Sequence, residues 1–226
     1  MKSNARIGER HEKRRQETVD RVLQAARELL TEVGEEALTL RKLSAKTGLS
    51  PNTIYAHFGK QRSDIVGAVI ADALPDIGDI DDSKLSLFEP GLTPWEAAVD
   101  QLLSHPEFYR AVTMLRTAER RFKHEQRNMI KLGLRAQELL ADALRDGYLK
   151  NGTDLAFLSE HFALLFRGCA ASWARHELDE HAFRRHLLFA IYSALYVNAT
   201  DAGRKRCERF LRTEAGTPVK RTRTRH

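Results

Sequence analysis

The chain has 226 residues, of which 42% are hydrophobic and 30% charged, with 37 Lys/Arg against 31 Asp/Glu. This is enough apolar material for one large or two small packed domains, and it excludes a chain disordered throughout. No uninterrupted apolar run approaches the ~20 residues that cross a bilayer, and the N-terminus lacks an apolar signal core, so a cytoplasmic protein without a membrane partner is expected.

The net charge of +6 is unevenly placed. Residues 1–65 carry 13 Lys/Arg against 9 Asp/Glu (+4), residues 66–201 carry 15 against 20 (−5), and residues 202–226 carry 9 against 2 (+7). Both ends are therefore basic and the middle is acidic. Such a pattern draws phosphate to the ends, although a plain solvated surface gives the same sums. The two cysteines, Cys169 and Cys207, have no spacing for metal or redox chemistry. Cys169 sits in an apolar run and reads as a buried packing residue.

Residues 1–16 show charge without apolar periodicity and read as a flexible basic arm, with Arg6, Arg10, Lys13, Arg14 and Arg15 able to follow a groove or backbone. Val19, Val22, Leu23, Ala26, Leu29, Leu30 and Val33 then follow the 3.6-residue period, predicting a helix from about Glu17 to Val33 that Gly34 closes.

The next stretch, Thr39 to Lys60, predicts two short helices joined by a tight turn. Thr39 is placed to cap the first, whose apolar face is Leu40 and Leu43. Gly48 falls where that helix must stop, because glycine tolerates the left-handed conformation of such a stop. Ser50 followed by Pro51 restarts the chain as a helix: a capping side chain, then a ring suited to the first helical position. Ile54 and Phe58 lie four apart and share the inward face, leaving Asn52, Thr53, Tyr55 and His57 pointing elsewhere. A helix-turn-helix of this kind offers short polar side chains outward, a shape that fits a DNA major groove. A generic helical hairpin is the simpler alternative.

Thr39, Leu43, Gly48-Leu49-Ser50, Asn52-Thr53-Ile54-Tyr55 and His57-Phe58 together resemble the DNA-binding motif of the TetR family of bacterial transcription regulators. The resemblance covers residues 18 to 74. Departures are Ser44 where the family usually has alanine, Asn52 where glycine is common, and one extra residue between Phe58 and Ile65. The lysine that contacts phosphate in the family could correspond to Lys60 or Arg62, and Lys60 is the choice. The resemblance implies an all-α fold: a three-helix DNA-binding head with a helix-turn-helix, joined by a fourth helix to an all-helical ligand-binding and dimerisation body. In these terms the arm spans 1–16, the helix-turn-helix domain 17–59, the body 60–212 and a disordered basic tail 213–226.

In the head, Asn52 and Thr53 are expected to face base edges. Tyr55, His57, Lys60 and Thr39 are expected to hold phosphates, Ser50 to cap the reading helix, and Arg41 to do either. The expected DNA partner is a double-stranded palindrome read by two heads about one helical turn apart, roughly 34–36 Å.

Further along, Ile65, Val66, Val69, Ile70 and Leu74 mark a fourth helix ending at Pro75. Residues 75–94 lose all periodicity and read as a linker. Its Asp76, Asp79, Asp81 and Asp82 lack the glycine and glutamate offsets of a calcium loop. Thr93-Pro94 starts another helix, Pro106 interrupts it, and a third stretch runs from roughly Arg120 to Leu144, with Gly147 beyond it. Asp154 caps a helix of about Leu155 to His176, followed by one from Glu180 to Asn198. These last two are apolar over more than one stripe, which predicts a homodimer through a four-helix bundle formed by 155–176 and 180–198 of each subunit.

The family implies a ligand cavity in the body. Polar or aromatic groups that interrupt its apolar faces are His105, Tyr109, Arg116, Glu119, His161 and Trp173, and ten phenylalanines favour a small apolar effector. No cofactor or metal is expected: the histidines of the segment 176–181 are five apart, not the four of a zincin helix. No nucleophile–base pattern, phosphate loop or GxSxG is present, so an enzyme is not expected. The reading is a homodimeric repressor released by a small apolar ligand. The alternative is a DNA-binding structural protein that marks sites for a protein partner.

Overall fold

The computed structural model describes residues 2–34, 38–59, 62–73, 85–89, 93–114 and 133–216. They form helices α1 (Lys2–Val33), α2 (Leu40–Thr47), α3 (Pro51–Phe58), α4 (Arg62–Ala73), α5 (Pro94–Ser104) and α6 (Pro106–Met114). A helical stretch over 133–145, here α7, precedes α8 (Leu155–Ala174), α9 (Glu180–Asn198) and α10 (Asp201–Gly216). Among the described residues the only β feature is an isolated bridge between Leu149 and Ala199. The fold is all-α. No described helix is long and apolar enough to cross a membrane.

The chain divides into two units: α1–α4 with α6, and the 85–89 segment with α5 and α7–α10. In the first unit α1 is the spine. Its Val22, Ala26 and Leu30 are buried with Leu43 of α2, Ile54 of α3 and Val66 and Val69 of α4. Packing thus groups α4 and α6 with the helix-turn-helix. One difference from the sequence reading is that α1 starts at Lys2, well before Glu17. Lys, Arg, Glu and Gln are good helix formers, and local pairs such as Gln16–Asp20 (2.8 Å) and Arg15–Glu12 (3.7 Å) support the extension. Residues 9–16 of this extension are all exposed, and a helical stretch without a buried face leaves no apolar period to read.

In the second unit α8 and α9 form a hairpin whose turn contains His176 in the left-handed conformation, φ 59°. Trp173 stacks on Phe183 at 5.4 Å, and Trp95 of α5 meets Phe162 edge-on at 5.7 Å. The helix α10 was not anticipated. Gly203, Cys207 and Phe210, spaced four and three, form its buried face. A Cβ at Gly203 would run into the Tyr148 carbonyl oxygen, so the close docking of α10 needs glycine there. Phe210 then stacks on Tyr192 at 3.7 Å. The helix continues to Gly216, past the expected start of a tail at 213, and residues beyond 216 lie outside the described ones.

Of the expected linker, residues 85–89 are non-helical but packed. Leu87 and Phe88 are buried, and the Tyr192 hydroxyl donates to the Leu87 carbonyl at 3.1 Å. The acidic cluster from Asp76 to Asp82 lies outside the described residues.

Candidate nucleic-acid interface

Short-range hydrogen bonds build the two-helix element at the start of the chain. Thr39, in extended conformation, accepts from the Lys42 N–H at 3.3 Å and opens α2. Gly48 closes it with φ +71°, its own N–H donating to the Ser44 carbonyl at 2.9 Å. Ser50 accepts from the Thr53 N–H at 3.1 Å, and Pro51 follows at the first helical position of α3. Leu43 and Ile54 are fully buried and seat both helices on α1. Lys46 ties α2 to α1 through Glu28 at 2.9 Å and Glu32 at 3.3 Å. That lysine holds Glu28 below the usual carboxylate range, first through the hydrogen bond it donates.

On this scaffold Asn52 stands exposed on α3, and Arg41 stands exposed on α2. Thr53 is half-buried, and its hydroxyl lies 2.9 Å from that of Ser50, so the cap and this side chain form one unit. Tyr55 and His57 are half-buried on α3, and Thr39 and Ser50 are exposed at the helix starts. Lys60 lies outside the described residues. The element presents a short helix by its polar side, beginning one capped turn after a left-handed stop, as major-groove readers do.

Residues 22–69 match the family model of bacterial regulatory proteins, tetR family. The chain carries a TetR-family head. Three solved structures extend the likeness beyond it. NalD, the secondary repressor of the MexAB-OprM multidrug efflux pump in Pseudomonas aeruginosa, is 20% identical with a TM-score of 0.61, over 82% of this chain and 98% of that one. SmeT, the repressor of the Stenotrophomonas maltophilia multidrug efflux pump SmeDEF, is 21% identical with a TM-score of 0.59, over 82% and 92%. RolR, solved in complex with resorcinol, is 18% identical with a TM-score of 0.58, over 92% of this chain and 97% of its own. Among curated proteins none matches this chain. The shared feature is the fold of a TetR-family transcription regulator.

The residues proposed for a ligand fall in both units or outside the described residues. Tyr109 is buried on α6 in the first unit, against Phe108 at 5.2 Å. His105 is exposed at the end of α5, in the second unit. His161 is half-buried and stacks on Phe157 at 6.2 Å, whereas Trp173 is fully buried twelve residues further along α8, about 18 Å away along the axis. Arg116 and Glu119 lie outside the described residues. A residue missed from the sequence is Trp95. It is 1% exposed, packs on Phe162 and Phe166, and its indole N–H has no acceptor. The capping box of Thr93 and Glu96 was the available signal, since it seats the first turn of α5 in the core. The segment from His176 to His181 closes α8 and opens α9, and no described cluster of three His, Cys, Asp or Glu side chains could hold a metal.

Proposed function

We propose that this chain is a homodimeric, sequence-specific DNA-binding repressor released by a small apolar ligand. The observation that carries the reading is the exposed Asn52 on a short helix whose start is capped by Ser50 and whose inner face is locked by Ile54. Asn52 and Thr53 read base edges, while Thr39, Tyr55, His57 and Lys60 hold phosphates and set orientation. Arg41 serves either role. Asn52 suits adenine, to which an asparagine amide can donate and accept at once.

Dimerisation is supported by apolar side chains that one copy leaves open: Phe157 (65% exposed) and Leu164 (50%) on α8, Phe189 (46%) and Val197 (67%) on α9. Two such helices from each subunit form a four-helix bundle and hold two heads at the spacing of a palindrome. Repression is supported by the roles of NalD and SmeT. An aromatic or otherwise apolar effector is supported by the aromatic side chains clustered in the second unit and by resorcinol in RolR. Release follows from linkage: a ligand that prefers one head spacing shifts the population from the DNA-competent state.

The test is binding to DNA from the gene's own upstream region, with mixed-sequence DNA as competitor. Asn52→Ala is expected to cost about 1–3 kcal/mol on the best site and little on mixed sequence. An equal loss on both would remove the base-reading role.

A further inference from the structure

The helix α1 outruns its own core. Among its residues of described burial, which begin at Glu9, the first buried one is Val22, and residues 9–17 are all exposed. From Arg10 to Val22 the helix rises about 18 Å, and over residues 9–17 it has no buried side chain to seat it. What it presents is charge. Arg10, Lys13, Arg14 and Arg21 are exposed, and among the described residues none has an ion-pair or side-chain hydrogen-bond partner, whereas Arg15 is paired with Glu12. At about 100° per residue, Arg10, Arg14 and Arg21 fall within roughly 40° of one another, with Lys13 some 60° to one side. Glu17 shares this stripe. Glu12 lies well off it, while Glu9 and Asp20 border it on the Lys13 side, about 40° and 20° from that lysine, and Asp20 accepts from Gln16.

A helix with a cationic stripe and no apolar face is complementary to a regular polyanion, not to a groove in a protein. The same unit carries α2 and α3, which brings duplex DNA to this part of the molecule under the reading above. We infer that the exposed turns of α1 around Arg10 to Arg14 form a second DNA-binding surface, a helical arm whose Arg10, Lys13 and Arg14 contact the phosphate backbone beside the sequence read by α3. This inference rests on the DNA-binding reading and adds contacts that carry no base information. The arm raises affinity for every duplex and leaves the choice of sequence to Asn52.

The experiment uses the full chain and the variant Arg10→Gln/Lys13→Gln/Arg14→Gln, since glutamine keeps helix propensity and circular dichroism can verify the helix. Binding to a mixed-sequence duplex is measured by anisotropy across a range of salt. Each phosphate contact contributes about 0.9 to the slope of log Kobs against log[salt], so the slope should fall by about 2–3 per subunit, with at least a tenfold loss of affinity at low salt. Removing three charges from α10 (Lys205→Gln/Arg209→Gln/Arg212→Gln) should leave the slope unchanged. Equal slopes for the arm variant and the original chain would overturn the arm while Asn52→Ala still reports base reading. An equal fall in the α10 variant would reduce the effect to bulk charge and would also overturn it. No duplex binding by the original chain would sink the arm and the DNA-binding reading together.

Discussion

The Arg27 guanidinium of α1 pairs with the Asp72 carboxylate near the end of α4 and donates as well to the Asp72 backbone carbonyl at 3.2 Å. The same guanidinium lies over the Phe108 ring of α6, 5.7 Å from its centre. One side chain therefore joins the spine of the head to two further helices of the first unit, α4 and α6. Both charged partners are more than a third exposed (37% and 38%), so solvent screens the pair. A double-mutant cycle of Arg27→Met and Asp72→Asn in urea should give a coupling of about 0.2–1 kcal/mol. A coupling of zero would mean that the pair is incidental to how α4 is held.

The turn between α2 and α3 should be more sensitive. Gly48→Ala meets no neighbouring atom, so its cost comes from forcing φ +71° on a side chain, about 1–2 kcal/mol. Ser50→Ala removes the acceptor of the Thr53 N–H and the partner of the Thr53 hydroxyl, costing about 1 kcal/mol. Denaturant midpoints measure both. Of the two, Ser50→Ala should also weaken DNA binding, because it frees the Thr53 side chain.

Leu164→Glu and Val197→Glu place charges on positions 50% and 67% exposed in one copy. Monomer stability should change by no more than about 0.5 kcal/mol, as for ordinary surface positions. If α8 and α9 form the dimer, these substitutions should turn a dimer into a monomer in sedimentation and abolish tight binding to a palindrome. Dimeric sedimentation of both variants would place the interface elsewhere.

The two thiols should react differently. Burial pushes the Cys207 thiol up to about 12, and it is fully enclosed, whereas Cys169 is half-buried and raised by burial to a smaller degree. In the native protein at pH 8, a thiol reagent should label Cys169 first and Cys207 only on unfolding. The sign for stability follows. An unfolded thiol ionises near pH 8.5, so the contribution of the neutral Cys207 is complete below that pH and is lost as pH rises towards 12. Cys207→Ser should flatten the alkaline fall in melting temperature.

Much of the head was legible in the sequence because its signals are local. Thr39 bonds three residues ahead, Gly48 closes the turn that it ends, and Ser50 bonds to Thr53, so a reader needs only a window of a few residues. The caps Thr93 and Asp154 were legible for the same reason, as were the bounds of α9. Periodicity depends on burial, and it failed where burial did. In the extension of α1 before Glu17, residues 9–16 are mostly helix formers with no buried side chain.

Other features depended on residues far apart in the chain. Cys169 sits in an apolar run yet is half-buried, because part of its helix faces outward; Cys207 sits among arginines yet is enclosed, because α10 lays that face on α9. The seat of Leu87 is made by Tyr192, more than a hundred residues later, and that of Phe88 by Tyr148. Tyr109 resembles a body residue by composition, but packing puts it in the unit of the helix-turn-helix. By itself the sequence determined what hydrogen bonds between near neighbours determine: the caps, the turn and the outward polar face of α3. Only the tertiary structure decided which apolar faces meet, because burial is a property of the partner surface as well as of the residue.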